Sequence, residues 1–143
     1  MIQYTKLSSK QAGLTLFELL VVLAILAMLA TLIAPRVVGY LGRAKSDIAA
    51  SQAANITSSL ELFFFDVGRY PTSQEGLTAL INQPPEMSSW RGPYLKEEQA
   101  IIDPWGHPYL YEGNADSDSF RVITLGRDQI EGGTGEDKDI VKR

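Results

Sequence analysis

The sequence predicts an α+β protein in which one long N-terminal helix packs against a small antiparallel sheet. From Leu19 to Ala34 every residue except Thr31 is apolar. Residues 36–66 repeat apolar side chains at spacings of three and four, which is the pattern of an amphipathic helix. Residues 109–111 and 120–125 are rich in the aromatic and β-branched side chains typical of strands. A helix that covers one face of such a sheet completes a two-layer domain.

The first apolar run has the length of a membrane-spanning helix. Residues 14–34 would extend about 31 Å at about 1.5 Å per residue, close to the hydrocarbon thickness of about 30 Å. A secretory signal peptide has a shorter apolar region, of about 7–15 residues, and ends at a small-residue cleavage site. This run is longer and is followed by Pro35 and Arg36. We therefore interpret residues 14–35 as a transmembrane helix.

Glu18 is the one acidic residue of this segment. A charged side chain at the centre of a spanning helix costs about 2.5–3.5 kcal/mol, and less near an end. One interpretation is an acid tolerated at the membrane surface, but a simple anchor gains nothing from it. The other is that Glu18 pairs with a positive group of a neighbouring chain, because a buried carboxylate is tolerated when it is paired.

Residues 13–18, Gly-Leu-Thr-Leu-Phe-Glu, resemble the class III leader of type IV pilins and pseudopilins when read together with the apolar run. The resemblance implies that a prepilin peptidase removes residues 1–13 by cutting after Gly13 and then N-methylates Leu14. It also implies that Glu18 contacts the amino terminus of a neighbouring subunit during assembly. The family usually has phenylalanine where this chain has Leu14. Since leucine is also apolar and unbranched at Cβ, we expect processing to proceed.

The second half of the helix is predicted to dock on a globular domain, residues 36–143. Gly68 followed by Tyr70-Pro71 ends the helical pattern. Pro35, Gly39 and Gly42 weaken the join between the two halves, and we expect a kink there. The predicted core positions are Leu41, Ile48, Ile56, Leu60, Phe63 and Val67, and the predicted polar face contains Ser46, Asp47, Ser51, Gln52, Asn55 and Ser59.

Shorter elements follow in the remaining chain. Thr72 or Ser73 is a suitable cap for a short helix over residues 73–82, which Pro84-Pro85 ends. Residues 113–119 join the two predicted strands as a hairpin loop. The alternating residues Asn114, Asp116 and Asp118 resemble the opening of an EF-hand loop. The glycine and glutamate that an EF-hand needs at its sixth and twelfth positions are absent, so we predict a solvated loop.

Three further stretches extend the resemblance: residues 69–77, residues 103–109, and residues 124–128 with the acidic tail to 140. In this order and after the leader, they are similar to the major pseudopilins of the type II secretion system. The resemblance implies a structural subunit that polymerises from the bacterial inner membrane into a periplasmic filament, which drives export of folded proteins. Implied partners are further copies of the chain, minor pseudopilins, an assembly platform with its ATPase, and prepilin peptidase. The chain itself carries no nucleotide-binding loop.

The acidic tail offers a candidate metal site. Residues 128–139 contain five acids and three glycines, and two interpretations are open from composition alone: a solvated tail, or a loop closed by calcium. The pseudopilin resemblance implies calcium in a loop spanning residues 124–140. Its ligands carry over to the carbonyl of Leu125 and the carboxylates of Asp128, Asp137 and Asp139. Such a metal would close the loop where a chain without cysteine cannot form a disulfide.

Several function classes receive no support from the sequence. The net charge is −4 with no basic block, which argues against nucleic-acid binding. His107 is the only histidine and lies between Gly106 and Pro108, so a turn histidine is expected rather than a member of a catalytic triad. We predict that the chain is not an enzyme. Two alternatives to the secretion pseudopilin are a type IV pilin for adhesion or motility and a membrane-tethered, calcium-dependent binding module.

Overall fold

A computed structural model describes residue 13, residues 15–113 and residues 119–143 of the chain. Helix α1 covers Leu16–Val67, and strands β1, β2 and β3 cover Leu110–Gly113, Phe120–Thr124 and Ile140–Lys142. Three short 3-10 helices lie at Leu77–Leu80, Glu98–Ile101 and Gly135–Asp137. The predicted α+β class is confirmed. Leu14 and the acidic stretch at 114–118 lie outside the described residues.

The chain divides into two compact units, Met1–Val38 and Gly39–Arg143, and α1 contributes residues to both. Among the described residues, α1 is the one helix long and apolar enough to cross a membrane, and it lies near the N-terminus. Its large apolar side chains in the first unit, such as Leu23 and Leu26, are about half exposed. The helix continues through Pro35 without interruption.

The core of the second unit forms on one face of α1. Ile56, Leu60 and Phe63 have no exposed surface, as predicted, and they pack in one cluster with Tyr109 and Val122 among others. The predicted burial of Leu41 and Ile48 is wrong, because these side chains are 61% and 51% exposed. At that level of the helix the buried positions are the small residues Gly42, Ala49 and Ala53.

The small residues explain the two errors, because glycine and alanine allow another part of the chain to approach the helix backbone closely. The predicted polar face also contains one error. Ser59 is buried, and its hydroxyl donates a hydrogen bond to the carbonyl of Tyr94 at 3.2 Å. A hydroxyl that finds such a partner can be accommodated in a core at little cost.

Helix α1 ends where the sequence indicates. Gly68 adopts φ +82°, and its N–H donates to the carbonyl of Phe64 at 2.7 Å, which is the glycine geometry common at helix ends. The predicted helix over residues 73–82 is wrong. The chain forms a turn at 73–76 and only then a 3-10 helix, Leu77–Leu80. Gly76 lies between them at φ +62°, ψ −167°, a conformation that no α-helix can include.

The sheet has the order β1-β2-β3, and both pairs are antiparallel. Leu110 pairs with Ile123 across β1 and β2. Thr124 pairs with Ile140 across β2 and β3, so the last residues of the chain dock as an edge strand. This arrangement places the C-terminal loop, residues 125–139, between the end of β2 and the start of β3.

Candidate functional site

The start of α1 holds the predicted assembly residue, Glu18, in a reciprocal cap. Glu18 Oε2 accepts hydrogen bonds from the backbone N–H and the hydroxyl of Thr15, both at 2.9 Å. The backbone N–H of Glu18 donates to the hydroxyl of Thr15 at 3.2 Å. This is a capping box, which satisfies free N–H groups at a helix start. Glu18 and Gly13 are exposed, so both are accessible to a partner.

The C-terminal loop folds back on itself with the help of glycines. Gly126 and Gly133 have φ of +73° and +79°, in the region that favours glycine. A Cβ on Gly126 would overlap the carbonyl oxygen of Glu136, and one on Gly133 would overlap that of Asp137. The two arms of the loop therefore approach so closely that side chains at these glycines would separate them.

Of the predicted metal ligands, Asp137 is held by Arg127. Its Oδ1 accepts from Arg127 Nε at 2.9 Å, and its Oδ2 accepts from Arg127 Nη2 at 3.0 Å. Arg127 Nη1 also lies 3.7 Å from Glu136 Oε1. The hydrogen bonds to Asp137, and then the charges of Asp137 and Glu136, raise the pKa of Arg127. A guanidinium thus occupies both oxygens of this carboxylate.

The other predicted ligands lie elsewhere in the loop. Asp128 is exposed, and its Oδ1 accepts from the backbone N–H of Ile130 at 3.1 Å. Asp139 Oδ2 accepts from the N–H of Gly132 at 2.9 Å, whereas Asp139 Oδ1 is buried and has no hydrogen-bond partner. Leu125, whose carbonyl is the fourth predicted ligand, is half-buried directly after β2.

These residues fit a calcium ion in part. The unpartnered Asp139 Oδ1 is a hard oxygen that a cation would satisfy, and calcium uses such ligands. Asp137, in contrast, already has a cationic partner in Arg127. Within residues 13, 15–113 and 119–143, no three acidic or histidine side chains converge in a group that could hold a metal.

A buried carboxylate that sequence reasoning did not single out, Asp103, connects this loop to the rest of the domain. Asp103 is 3% exposed, and its Oδ1 accepts from the N–H groups of Trp105 and His107 at 3.0 and 2.8 Å. Its Oδ2 accepts from the hydroxyl of Thr124 at 2.7 Å, and that hydroxyl accepts from the N–H of Gly126 at 3.2 Å. An acid that opens a Pro- and Gly-containing turn was the available sequence signal.

Two aromatic residues of the same stretch, Trp105 and Tyr109, also form hydrogen bonds to other parts of the domain. Trp105 Nε1 donates to Glu136 Oε2 at 3.2 Å and so holds the far arm of the C-terminal loop. Tyr109 is buried, and its hydroxyl donates to the carbonyl of Ala49 at 2.8 Å. His107 lies beside the turn, with its Nδ1 buried and 3.8 Å from Asp103 Oδ1.

The C-terminal loop rests on α1 through Glu136. The side chain of Glu136 lies so close to Gly42 that a Cβ on that glycine would overlap its carboxylate. Ser46 Oγ lies 3.5 Å from the carbonyl oxygen of Gly135, one turn further along the helix. The loop is thus fastened at β2, at the Asp103 turn and at the helix.

A second turn that is held by side-chain hydrogen bonds lies at residues 69–75. Arg69 forms two parallel hydrogen bonds of 2.7 Å with Glu75. Glu75 also accepts from the N–H of Thr72 at 2.7 Å, while its own N–H donates to the hydroxyl of Thr72 at 3.2 Å. The Arg69 hydrogen bonds, followed by those of Thr72, lower the pKa of Glu75 from 4.5 to about 2.

One helix with an exposed, membrane-length apolar part, whose other part carries a small antiparallel sheet domain, defines a type IV pilin-like protein. Residues 8–34 match the prokaryotic N-terminal methylation motif, and residues 36–143 match the model of type II secretion system protein G. The chain belongs to the type II secretion system protein G family.

Relatives and a solved structure agree with this family. The chain is 37% identical to type II secretion system core protein G of Xanthomonas campestris, over 91% of this chain and 88% of the relative. It is also 37% identical to core protein G of Pseudomonas aeruginosa, over 92% and 94%. The major pseudopilin of enterohaemorrhagic Escherichia coli has a similar crystal structure, with a TM-score of 0.57 and 28% identity, over 73% of this chain and 90% of that one.

The chain is accordingly a structural pseudopilin subunit and not an enzyme, as the sequence predicts. It is a membrane-anchored protein that assembles with other components of the secretion system. Family membership also decides between the alternatives, in favour of a secretion pseudopilin over an adhesion pilin or a tethered binding module.

Proposed function

We propose that this chain is the repeating subunit of the pseudopilus, made as a precursor and assembled from the inner membrane. Residues 1–13 are the leader, residues 14–35 are the membrane and assembly helix, and residues 36–143 form the periplasmic domain. The observation that carries the proposal is the methylation motif at 8–34, which includes the apolar start of a helix that continues to Val67. Cleavage after Gly13 would leave Leu14 as the methylated amino terminus.

The proposed partners follow from these steps of processing and assembly. Prepilin peptidase processes the chain, copies of the chain and minor pseudopilins form the filament, and an assembly platform with its ATPase moves subunits out of the membrane. The sequence has no nucleotide-binding loop, so the energy for extraction comes from the ATPase. The subunit contributes mechanical contacts, and the growing filament exports folded proteins.

Glu18 is proposed to pair with the methylated amine of a neighbouring subunit and so set the register between helices. In the isolated chain its partner is Thr15 of the same helix start. A charged amine is a stronger partner than a neutral hydroxyl in surroundings of low dielectric constant. Assembly would therefore exchange a local cap for a contact between subunits.

The test compares Glu18→Ala, Glu18→Gln and Thr15→Ala in cells, with filament formation, membrane insertion and leader cleavage measured together. Both Glu18 variants should insert but fail to form filaments, because each lacks the negative charge. Thr15→Ala is the matched control, since it removes the cap and keeps the charge, and it should assemble. Normal filaments from Glu18→Ala, or an equal defect in Thr15→Ala, would contradict the pairing role.

Calcium binding by the C-terminal loop is the second part of the proposal. The carbonyl of Leu125 and the carboxylates of Asp128 and Asp139 are the proposed ligands, with Asp137 available only where Arg127 releases it. Support comes from Asp139 Oδ1, a buried oxygen without a partner, and from the close approach of the two arms at Gly133. Bound calcium would join Asp128, on the arm after β2, to Asp139 at the end of the returning arm.

Thermal unfolding of the full chain in detergent micelles tests this part. Calcium should raise the unfolding temperature relative to excess chelator, and magnesium at equal ionic strength should not. Asp128→Ala should abolish the calcium shift, whereas Glu131→Ala, an exposed acid of the same loop, should retain it. An unfolding temperature that is equal in calcium and in chelator for the unmodified chain would refute calcium binding.

A further inference from the structure

We propose that Arg127 is an internal cation that closes the C-terminal loop, so that the loop of this chain stays folded without a metal ion. The inference concerns the loop proposed to bind calcium, but it does not depend on calcium binding. It assigns a function to the one arginine of the loop. It also implies that calcium, where it binds, stabilises a loop that is already closed.

The first observation is the number of contacts that one residue makes across the loop. Arg127 Nε and Nη2 donate to the two oxygens of Asp137 at 2.9 and 3.0 Å, which is the parallel, bidentate geometry of strong charge-assisted hydrogen bonds. The backbone N–H of Arg127 donates to the carbonyl of Glu136 at 2.9 Å. Arg127, on the arm after β2, is thus joined to two consecutive residues of the returning arm.

The second observation is the distribution of charge. Glu136 and Asp137 are adjacent acids, and Arg127 lies within 4 Å of both carboxylates. Lys138, the other base of the loop, forms no ion pair with any residue that the structure describes. Two neighbouring carboxylates on a closed arm repel each other unless a cation lies between them. The guanidinium of Arg127 occupies that position.

The third observation is that protein groups complete the closure around this contact. The N–H of Gly132 donates to Asp139 Oδ2 at 2.9 Å, and the N–H of Asp139 donates to the carbonyl of Gly132 at 3.3 Å. Trp105 holds Glu136 from the other side. None of these bonds requires a metal, and together they lead the chain directly into β3.

The consequence is a division of the acidic residues between two cations. Asp137 and Glu136 pair with Arg127, and Asp128 and Asp139 are left available to bind a metal. A calcium ion bound to Asp137 would have to displace a bidentate guanidinium. Removal of Arg127 should therefore convert a loop that closes by itself into one that depends on an added cation.

Hydrogen exchange measured by mass spectrometry on the full chain in detergent micelles tests the inference, with excess chelator present. The reporters are the amides of Gly132 and Asp139, which are hydrogen-bonded only in the closed loop. In chelator the unmodified chain should protect them. In Arg127→Ala they should exchange up to about fivefold faster, because the Arg127 side chain is exposed and solvent screens its contact with Asp137.

Three further variants make the result specific to this contact. Arg127→Lys should restore protection only in part, because an ammonium cannot make the bidentate contact. Asp137→Asn keeps the shape of the acceptor and removes its charge, so it should also speed exchange. It provides the test if Arg127→Ala fails to fold. Arg121→Ala is the matched control: Arg121 pairs with Glu112 at 2.9 Å on the exposed face of the sheet, and its loss should leave the reporters unchanged.

Two results would overturn the inference. One is a loop in the unmodified chain that exchanges freely in chelator and becomes protected only in calcium. The other is equal protection of the reporters in Arg127→Ala and the unmodified chain. Calcium added to Arg127→Ala tests the calcium proposal separately. Restored protection of the reporters would support a metal site. Unrestored protection would contradict calcium binding and would leave the inference about Arg127 unaffected.

Discussion

Replacement of Glu75 by glutamine should destabilise the domain at neutral pH and have little effect in acid. Glu75 accepts two hydrogen bonds from Arg69 and one from the backbone of Thr72, all at 2.7 Å. Glutamine keeps the size of the side chain but not its charge. The Arg69 fork would then face a neutral group, and the turn after α1 would lose its strongest fastening.

The magnitude follows from the lowered pKa of Glu75, which falls from 4.5 to about 2. At 1.36 kcal/mol per pKa unit, this difference corresponds to at most about 3 kcal/mol of stability. The side chains of Arg69 and Glu75 are 31% and 24% exposed, so solvent screens part of the interaction. We expect Glu75→Gln to lower the free energy of unfolding by about 1–2 kcal/mol at pH 7.

The pH dependence has a defined sign. Because the pKa of Glu75 is lower in the folded chain, its contribution is fully present above pH 4.5 and is lost as the pH falls towards about 2. The difference between the unmodified chain and Glu75→Gln should therefore shrink across this window. Other carboxylates titrate in both proteins, and their effects cancel in the comparison.

Urea unfolding of the full chain in detergent, followed by tryptophan fluorescence, measures this difference, since Trp90 and Trp105 both lie in the second unit. Glu112→Gln is the control, because Glu112 is 59% exposed and pairs with a surface arginine. It should change stability by less than about 0.5 kcal/mol at any pH. Equal unfolding midpoints at pH 7 for the unmodified chain and Glu75→Gln, or a difference near pH 2.5 as large as that at pH 7, would refute the reasoning.

Two further substitutions probe the fastening of the C-terminal loop. Asp103→Asn replaces two acceptor oxygens by one, so either the backbone N–H groups or the Thr124 hydroxyl loses its acceptor. We expect the free energy of unfolding, measured in urea, to fall by about 2–3 kcal/mol. An unchanged unfolding midpoint would contradict the role of this hydrogen-bond network. Gly42→Ala adds up to about 1 kcal/mol of helix propensity but turns the flexible Glu136 side chain away, which costs its hydrogen bond from Trp105, about 1 kcal/mol, so we expect the net stability to change by less than about 1 kcal/mol. Its tryptophan emission should shift as Trp105 loses its acceptor, and a stabilised protein with unchanged emission would show that the loop does not rest on the helix.

The sequence predicted those parts of the fold that local patterns determine. The length of the apolar run, the spacing of Ile56, Leu60 and Phe63, and the stop at Gly68 are such patterns, and all agree with the structure. Leu41 was misplaced because periodicity shows that a helix has an apolar side but not whether a given part of that side is covered. Coverage depends on distant segments of the chain.

The C-terminal region was harder for the same reason. Strand β3 has three residues, too few for a pattern, and it forms because β2 offers a free edge. The acidic composition of the loop indicated a need for a cation, and the resemblance at residues 13–18 predicted cleavage after Gly13, which stays a prediction. Composition could not reveal that Arg127 meets Asp137 ten positions later, because that contact depends on the turns between them. The role of Asp103 likewise depends on Thr124, which lies 21 positions away.

The contact between the C-terminal loop and α1 has a consequence for the order of events in the cell. Ser46 and Gly135 are 89 positions apart, so this contact joins nearly the first and last residues of the second unit. Contacts at such separation are slow to form and require the whole chain. A polypeptide that ends before Gly126 would leave the helix surface at Gly42 uncovered and the edge of β2 open to other chains. Complete folding of the domain therefore requires a polypeptide that extends through β3.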